Sequence, residues 1–104
     1  MNEIVIFITA PKEEEAVALA RGLVEAKLAG CVNIVKNIRS IYRWKGTIED
    51  DQEVLLIAKT KRDLFPSVEA KVKEMHSYSV PEIIAVPIIE GSRDYIGWLN
   101  DVVG

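Results

Sequence analysis

The chain is poor in the groups that most often carry chemistry. Its 104 residues hold one cysteine, one histidine and two methionines. One thiol excludes a disulfide framework within the chain, and equally an iron–sulfur cluster held by four cysteines of one chain. A lone thiol suits a reducing compartment, and the opening MNEIVIF lacks the basic region and cleavage site of a secretory signal, so a cytoplasmic protein is expected. The longest apolar run, IIAVPII over residues 83–89, falls far short of the roughly 18 residues that cross a bilayer, and no membrane partner is expected. Positive charge is not in excess: 13 Lys and Arg face 16 Asp and Glu, for a net charge of −3 and a pI of about 5.2. Nucleic-acid binding, which needs a basic surface to neutralise phosphates, is therefore not expected. Phosphate-cradling glycine motifs and nucleophile elbows are missing as well.

What is present reads as one globular domain, with 49% apolar and 28% charged residues. Residues 4–8 (IVIFI) form a short β-branched run, predicted to be a strand buried on both faces. Thr9 is a candidate N-cap, Pro11 suits a first helical turn, and Glu13, Glu14 and Glu15 complement the helix dipole. The helix is predicted to run to about Leu28. Ala16, Leu19, Ala20, Leu23 and Val24 make its apolar stripe, and Lys27 projects from that same stripe.

From Cys31 to Lys45 the period changes to two. Val32, Ile34, Ile38, Tyr42 and Trp44 are expected on one face, and Asn37, Arg39, Arg43 and Lys45 on the other. A strand of this length, about 45 Å at roughly 3.3 Å per residue, calls for a bend or bulge. Lys45-Gly46-Thr47 turns the chain, the acidic residues 49–53 read as a solvated tip, and residues 53–59 (EVLLIAK) return as the hairpin partner. A second helix is predicted over residues 63–75, and a fourth strand over 83–88 with Pro87 marking an edge. A short terminal helix carries Tyr95, Trp98, Leu99 and Val102. The fold class is α+β, a ferredoxin-like βαββαβ order with a long central hairpin. Both main helices then cover one sheet face, while several strands are apolar on both. The uncovered face implies an obligate oligomer.

The stretches LAGCVNI, SIYRWKG followed by DQEVLLIAKT, YSVPEIIAVPI and GSRDYIGWL lie in collinear order across nearly the whole chain. In these motifs the sequence resembles the CutA divalent-cation-tolerance family. The resemblance implies a ferredoxin-like subunit in a homotrimer of PII-like architecture, knitted by the hairpin, with Tyr42 and Trp44 at the trimer interface. It implies copper or another divalent metal as partner and no enzymatic reaction.

His76 is the best metal ligand available, since neutral imidazole binds copper and zinc; the competing role is a helix-end residue bonded to exposed carbonyls. Some metal-binding relatives carry a cysteine where this chain has Ile8 and a histidine where it has Met75, so the metal contact implied here is weak or shared between subunits. Cys31 could offer Cu(I) a soft ligand or serve as a small core residue. Lys27, Lys59, Tyr78 and Glu82, with Cys31, are candidates for a ligand cleft. That cleft supports an alternative function: a PII-like sensor taking a small anion at subunit junctions.

Overall fold

Alternating branched residues set the first strand, β1 (Glu3–Ala10). Ile4, Ile6, Ile8 and Ala10 are buried on one side, while Val5 and Phe7 face the other and are only half covered. In the computed structural model, which describes residues 2–104, β1 is followed by α1 (Glu13–Glu25), β2 (Cys31–Trp44) and β3 (Thr47–Lys61). A 3-10 turn (Arg62–Leu64) leads into α2 (Phe65–Met75), and β4 (Ile83–Pro87) and α3 (Arg93–Val102) complete the chain. The strands form one antiparallel sheet in the order β2-β3-β1-β4, the arrangement expected of a split βαβ unit. Pro87 ends the edge strand β4, where a missing ladder donor costs least.

Ala16, Leu19, Ala20 and Leu23 of α1, with Val68 and Val72 of α2, close over the inward row of β1 and over Val54, Leu56 and Ala58 of β3. Thr9 does not cap α1. It belongs to β1 and is buried, and Lys12 stands at the N-cap without a side-chain bond, so the three glutamates of the first turn carry the compensation of the dipole.

The first helix also ends sooner than its apolar stripe suggests. Lys27 takes a left-handed conformation (φ 61°), its N–H bonding Val24 C=O at 3.0 Å while Leu28 N–H reaches back to Leu23 C=O at 2.9 Å. This pair of bonds is a Schellman stop, and it returns Leu28 to the core against Leu23. Lys27 therefore sits past the helix end, exposed, rather than on the apolar stripe.

A second correction concerns the hairpin. The ladder runs Val35↔Leu55 and then Ile38↔Glu53, leaving Lys36 and Asn37 opposite Val54, with Asn37 in the left-handed region (φ 63°). This bulge reverses the alternation. Val32 and Ile34 face the helices, whereas Ile38, Tyr42 and Trp44 face the opposite side, together with Val35. A strict two-residue count, carried across the bulge, had placed all five on one face.

The acidic stretch is not a loop. β3 starts at Thr47, directly after a two-residue turn with Lys45 at φ 50° and Gly46 at φ 83°, the twist-matched hairpin type. Cross-strand partners keep these acids in the ladder: Arg39 donates two bonds to Asp50, at 2.8 and 2.7 Å, and Tyr42 Oη donates to Asp51 at 2.7 Å.

α3 crosses to the side of the sheet that α1 and α2 leave open, but only at one end. Asn100 donates to Glu3 there at 2.7 Å and Leu99 is fully buried. The rest of that face stays apolar and uncovered, with Val35, Ile84 and Val86 at 41, 54 and 45% exposure. The hairpin runs on beyond the helix layer, giving the subunit a long axis of 44 Å, and Ile41 and Ile48 near its tip are also exposed.

Because a lysine occupies the left-handed position that glycine fills without steric cost, Lys27→Gly is expected to stabilise the fold by about 0.5–1 kcal/mol. A chemical-denaturation midpoint that stays unchanged or falls would show that this turn is not strained.

Candidate functional site

β1 and α2 converge on His76, the residue immediately after α2. Its side chain is wholly buried, and both ring nitrogens are engaged. Tyr78 N–H donates to Nδ1 at 3.0 Å, so Nδ1 is the bare nitrogen and Nε2–H donates to the Thr9 carbonyl at 2.7 Å. Glu15 Oε2 lies 3.3 Å from Nδ1 and accepts from the backbone N–H and the hydroxyl of Ser77, at 2.9 and 3.0 Å. The imidazole thus ties the end of β1 to the loop that leads into β4, and Glu15 ties the same loop to α1. Its bonds go to the Thr9 carbonyl of β1 and the Tyr78 amide, not to the exposed carbonyls at the end of α2 that the helix-end role called for.

That loop delivers Tyr78 to the base of the hairpin. Its ring lies 4.9 Å from the His76 ring, and its hydroxyl donates to Glu53 Oε2 at 2.8 Å. Glu53 is only 6% exposed, although it continues the face of β3 that carries Leu55 and Ile57. Beside it opens a groove of about 660 Å³, lined by Thr9, Glu53, Tyr78 and Glu82 and by Tyr42 and Trp44 of the hairpin. The acids leave a mark on the phenols. The hydrogen bond to Asp51 pushes Tyr42 up to about 12, and burial, followed by the bond to Glu53, pushes Tyr78 up further.

The remaining candidates lie elsewhere. Lys59 is six residues from Glu53 along the same strand, about 20 Å away at roughly 3.3 Å per residue. It pairs there with Cys31, and its ammonium bonds Asn33. Cys31 is half-buried, 4.0 Å from Asn33 Oδ1 and next to Tyr95 of α3. Lys27 is at the stop of α1, its carbonyl accepting from Gly104 N–H. The fold thus brings Tyr78 and Glu82 together and keeps Lys27, Cys31 and Lys59 away from them. The five do not form one anion cleft within a subunit. Among the described residues no three His, Cys, Asp or Glu side chains converge as an ion would require.

Sequence reasoning missed Glu53, which it assigned to a solvated tip. The available signal was its position: one acid opening an apolar run at period two, on the same face as Leu55 and Ile57. Arg39, Ser40 and Val80, which also border the groove, gave no signal, because a loop and a strand far apart in sequence meet there.

The CutA1 divalent ion tolerance model matches residues 4–102, nearly all of the sequence that builds this sheet and its helices. The chain belongs to the CutA divalent-cation-tolerance family. It is 51% identical to the divalent-cation tolerance protein CutA of Thermus thermophilus, over 98% of this chain and 99% of that one, and the solved structure of the Thermus protein superimposes with a TM-score of 0.96. The Archaeoglobus fulgidus CutA structure, described as a periplasmic protein, shares 43% identity over 98% of this chain and 99% of that one, with a TM-score of 0.95. Mouse protein CutA is 45% identical over 92% of this chain, which spans about half (54%) of the mouse protein. CutA membership therefore fixes the fold of this chain but not its compartment. No helix among the described residues is long and apolar enough to cross a membrane.

The Tyr42–Asp51 bond makes a spectroscopic prediction. In an ultraviolet pH titration Tyr42 should ionise near pH 12, and Asp51→Asn should return it toward the ordinary value of about 10. A raised phenol pKa stabilises the fold fully below pH 10, and that contribution disappears as the pH rises toward 12. A Tyr42 midpoint unmoved by Asp51→Asn would break the assignment.

Proposed function

We propose that the chain acts as a cytoplasmic homotrimer of PII-like architecture in tolerance of divalent cations, copper included. In this reading it has no catalytic activity, and its own contact with metal is weak. The observation that carries the proposal is the apolar sheet face and hairpin arm left open by the chain's own helices, in a member of a divalent-cation-tolerance family. Val35, Ile84 and Val86, with Tyr42 and Trp44 on the same side of the hairpin, are suited to a second copy of the chain. Each large apolar side chain fully buried in such a contact contributes about 1.5–3 kcal/mol. The half-buried lone thiol suits a reducing cytoplasm.

The residues of one chain do not fit a tight divalent site. The single imidazole is enclosed with both nitrogens bonded, and only Glu15 stands near enough to share an ion with Nδ1. An ion at that place has two protein donors after displacing the Tyr78 amide, against the three or four of an established transition-metal site. Uptake at His76 is accordingly weak unless a neighbouring subunit adds a donor.

Sedimentation and native mass measurements are expected to give a trimer, and Ile84→Lys combined with Val86→Lys should release monomers. A wild-type monomer at micromolar concentration would overturn the proposal. In calorimetry, Cu²⁺ uptake should be weaker than micromolar in Kd and be reduced in both His76→Ala and Glu15→Gln, with folding checked by circular dichroism. Uptake identical in wild type and both variants would remove His76 from the account.

A further inference from the structure

Of the two methionines, Met75 stands where the main helices meet. It is the last residue of α2, and across from it α1 carries Gly22. A methyl group added at Gly22 would stand 3.1 Å from the Met75 sulfur and 3.3 Å from its terminal carbon. The thioether thus lies directly on bare α1 backbone, with the stem of Lys71 closing in 3.7 Å from the same point. Met75 packs against the core but is only half-buried, so part of the side chain meets water. It belongs to the helix layer, on the side of the sheet opposite the face offered to a second copy, and a trimer joined through that face leaves it open. The residues that follow it in the chain are the ones that hold the next loop, His76 to Thr9 and Ser77 to Glu15 of α1. A change that lifts the last turn of α2 from α1 acts on both anchors at once.

We propose that Met75 is a site of reversible oxidation by peroxides, and that its sulfoxide releases the loop over residues 76–82. A sulfur lone pair attacks one peroxide oxygen, the O–O bond breaks, an S–O bond forms and, with hydrogen peroxide, one water leaves. The sulfur loses two electrons and the peroxide gains them. A polar, chiral group then stands where a flexible apolar one stood, and methionine sulfoxide reductases return it to the thioether. The contact with Gly22 leaves no room for an oxygen on that side, so the S–O group turns to water and draws the end of α2 with it. The apolar contact with α1 is lost, and His76 and Ser77 follow. Cys31, the chain's thiol, lies beside Tyr95 of α3 on the other side of the sheet, so its own oxidation does not act on this contact. The site requires no metal, and a failure of the metal reading leaves it standing.

The test treats the full chain in its solution assembly with dilute hydrogen peroxide, and peptide mass mapping follows the oxygen added at Met75 in folded and urea-unfolded protein. Folded Met75 should react within about tenfold of the unfolded rate, whereas a reaction that waits for global unfolding is slowed about a thousandfold or more. In the oxidised protein the Ser77 and Tyr78 amides, which donate to Glu15 and His76, should exchange hydrogen about tenfold faster. Amides of β1 and the sedimentation coefficient should stay as they were, and sulfoxide reductase should restore the slow exchange. Met75→Leu keeps an apolar contact at this place and should exchange slowly with or without peroxide. Gly22→Ala, whose methyl crowds the sulfur outward, should speed the oxidation severalfold. Oxidation of Met75 only as the chain unfolds, Ser77 and Tyr78 amides unmoved by the sulfoxide, or the same loss of protection in peroxide-treated Met75→Leu would each overturn the proposal.

Discussion

The antiparallel pairing of β1 with β3, in register from Glu3↔Lys61 to Ala10↔Val54, is the contact from which the other features follow. One side of this pair is closed by α1 and α2, and Ile6, Ile8, Leu56 and Ala58 are lost to solvent entirely. The other side carries Val5, Phe7, Leu55 and Ile57, and the chain has only ten helical residues, in α3, to lay over it. A pair this apolar on both faces leaves part of the sheet without cover from the chain's own helices. The same register places Glu53 one residue past the end of β1, where the sheet gives way to the hairpin arm.

That position explains why an acid can be buried so near an apolar surface. A carboxylate shielded from water is costly unless it accepts hydrogen bonds, and Glu53 accepts one from Tyr78. Tyr78 reaches it because His76 fastens the loop to Thr9 near the end of β1, with Glu15 holding Ser77 beside it. The single histidine thus acts at a distance on the groove, through the loop it anchors. Its burial and its two hydrogen bonds hold the imidazole in place as an anchor of that loop.

The sequence conveyed the element order, the hairpin, the edge placement of β4 and the excess of apolar surface, because each depends on local periodicity or on composition. It misplaced the faces of β2, since one bulge at Lys36 and Asn37 reverses every later side chain. It overextended α1, because the Schellman stop at Lys27 relies on tertiary burial of Leu28 rather than on a glycine that the sequence could display. Of the cleft candidates, Tyr78 and Glu82 border one groove, whereas Lys59 lies six residues along β3 from Glu53 and Lys27 at the stop of α1, so a single chain does not bring the set together.

What the sequence determined by itself is what short-range physics enforces: where strands and helices form, the apolar surplus of a 104-residue sheet protein, and, through four collinear motifs, membership of the CutA family. Only the tertiary structure decided the chemistry of the groove. Arg39 and Asp50 cancel one another across the hairpin, Tyr78 meets Glu53 across 25 positions, and His76 meets Thr9 across 67. Charge sign and donor availability in a site are sums over such long-range neighbours, and a linear sequence does not reveal which neighbours will be summed.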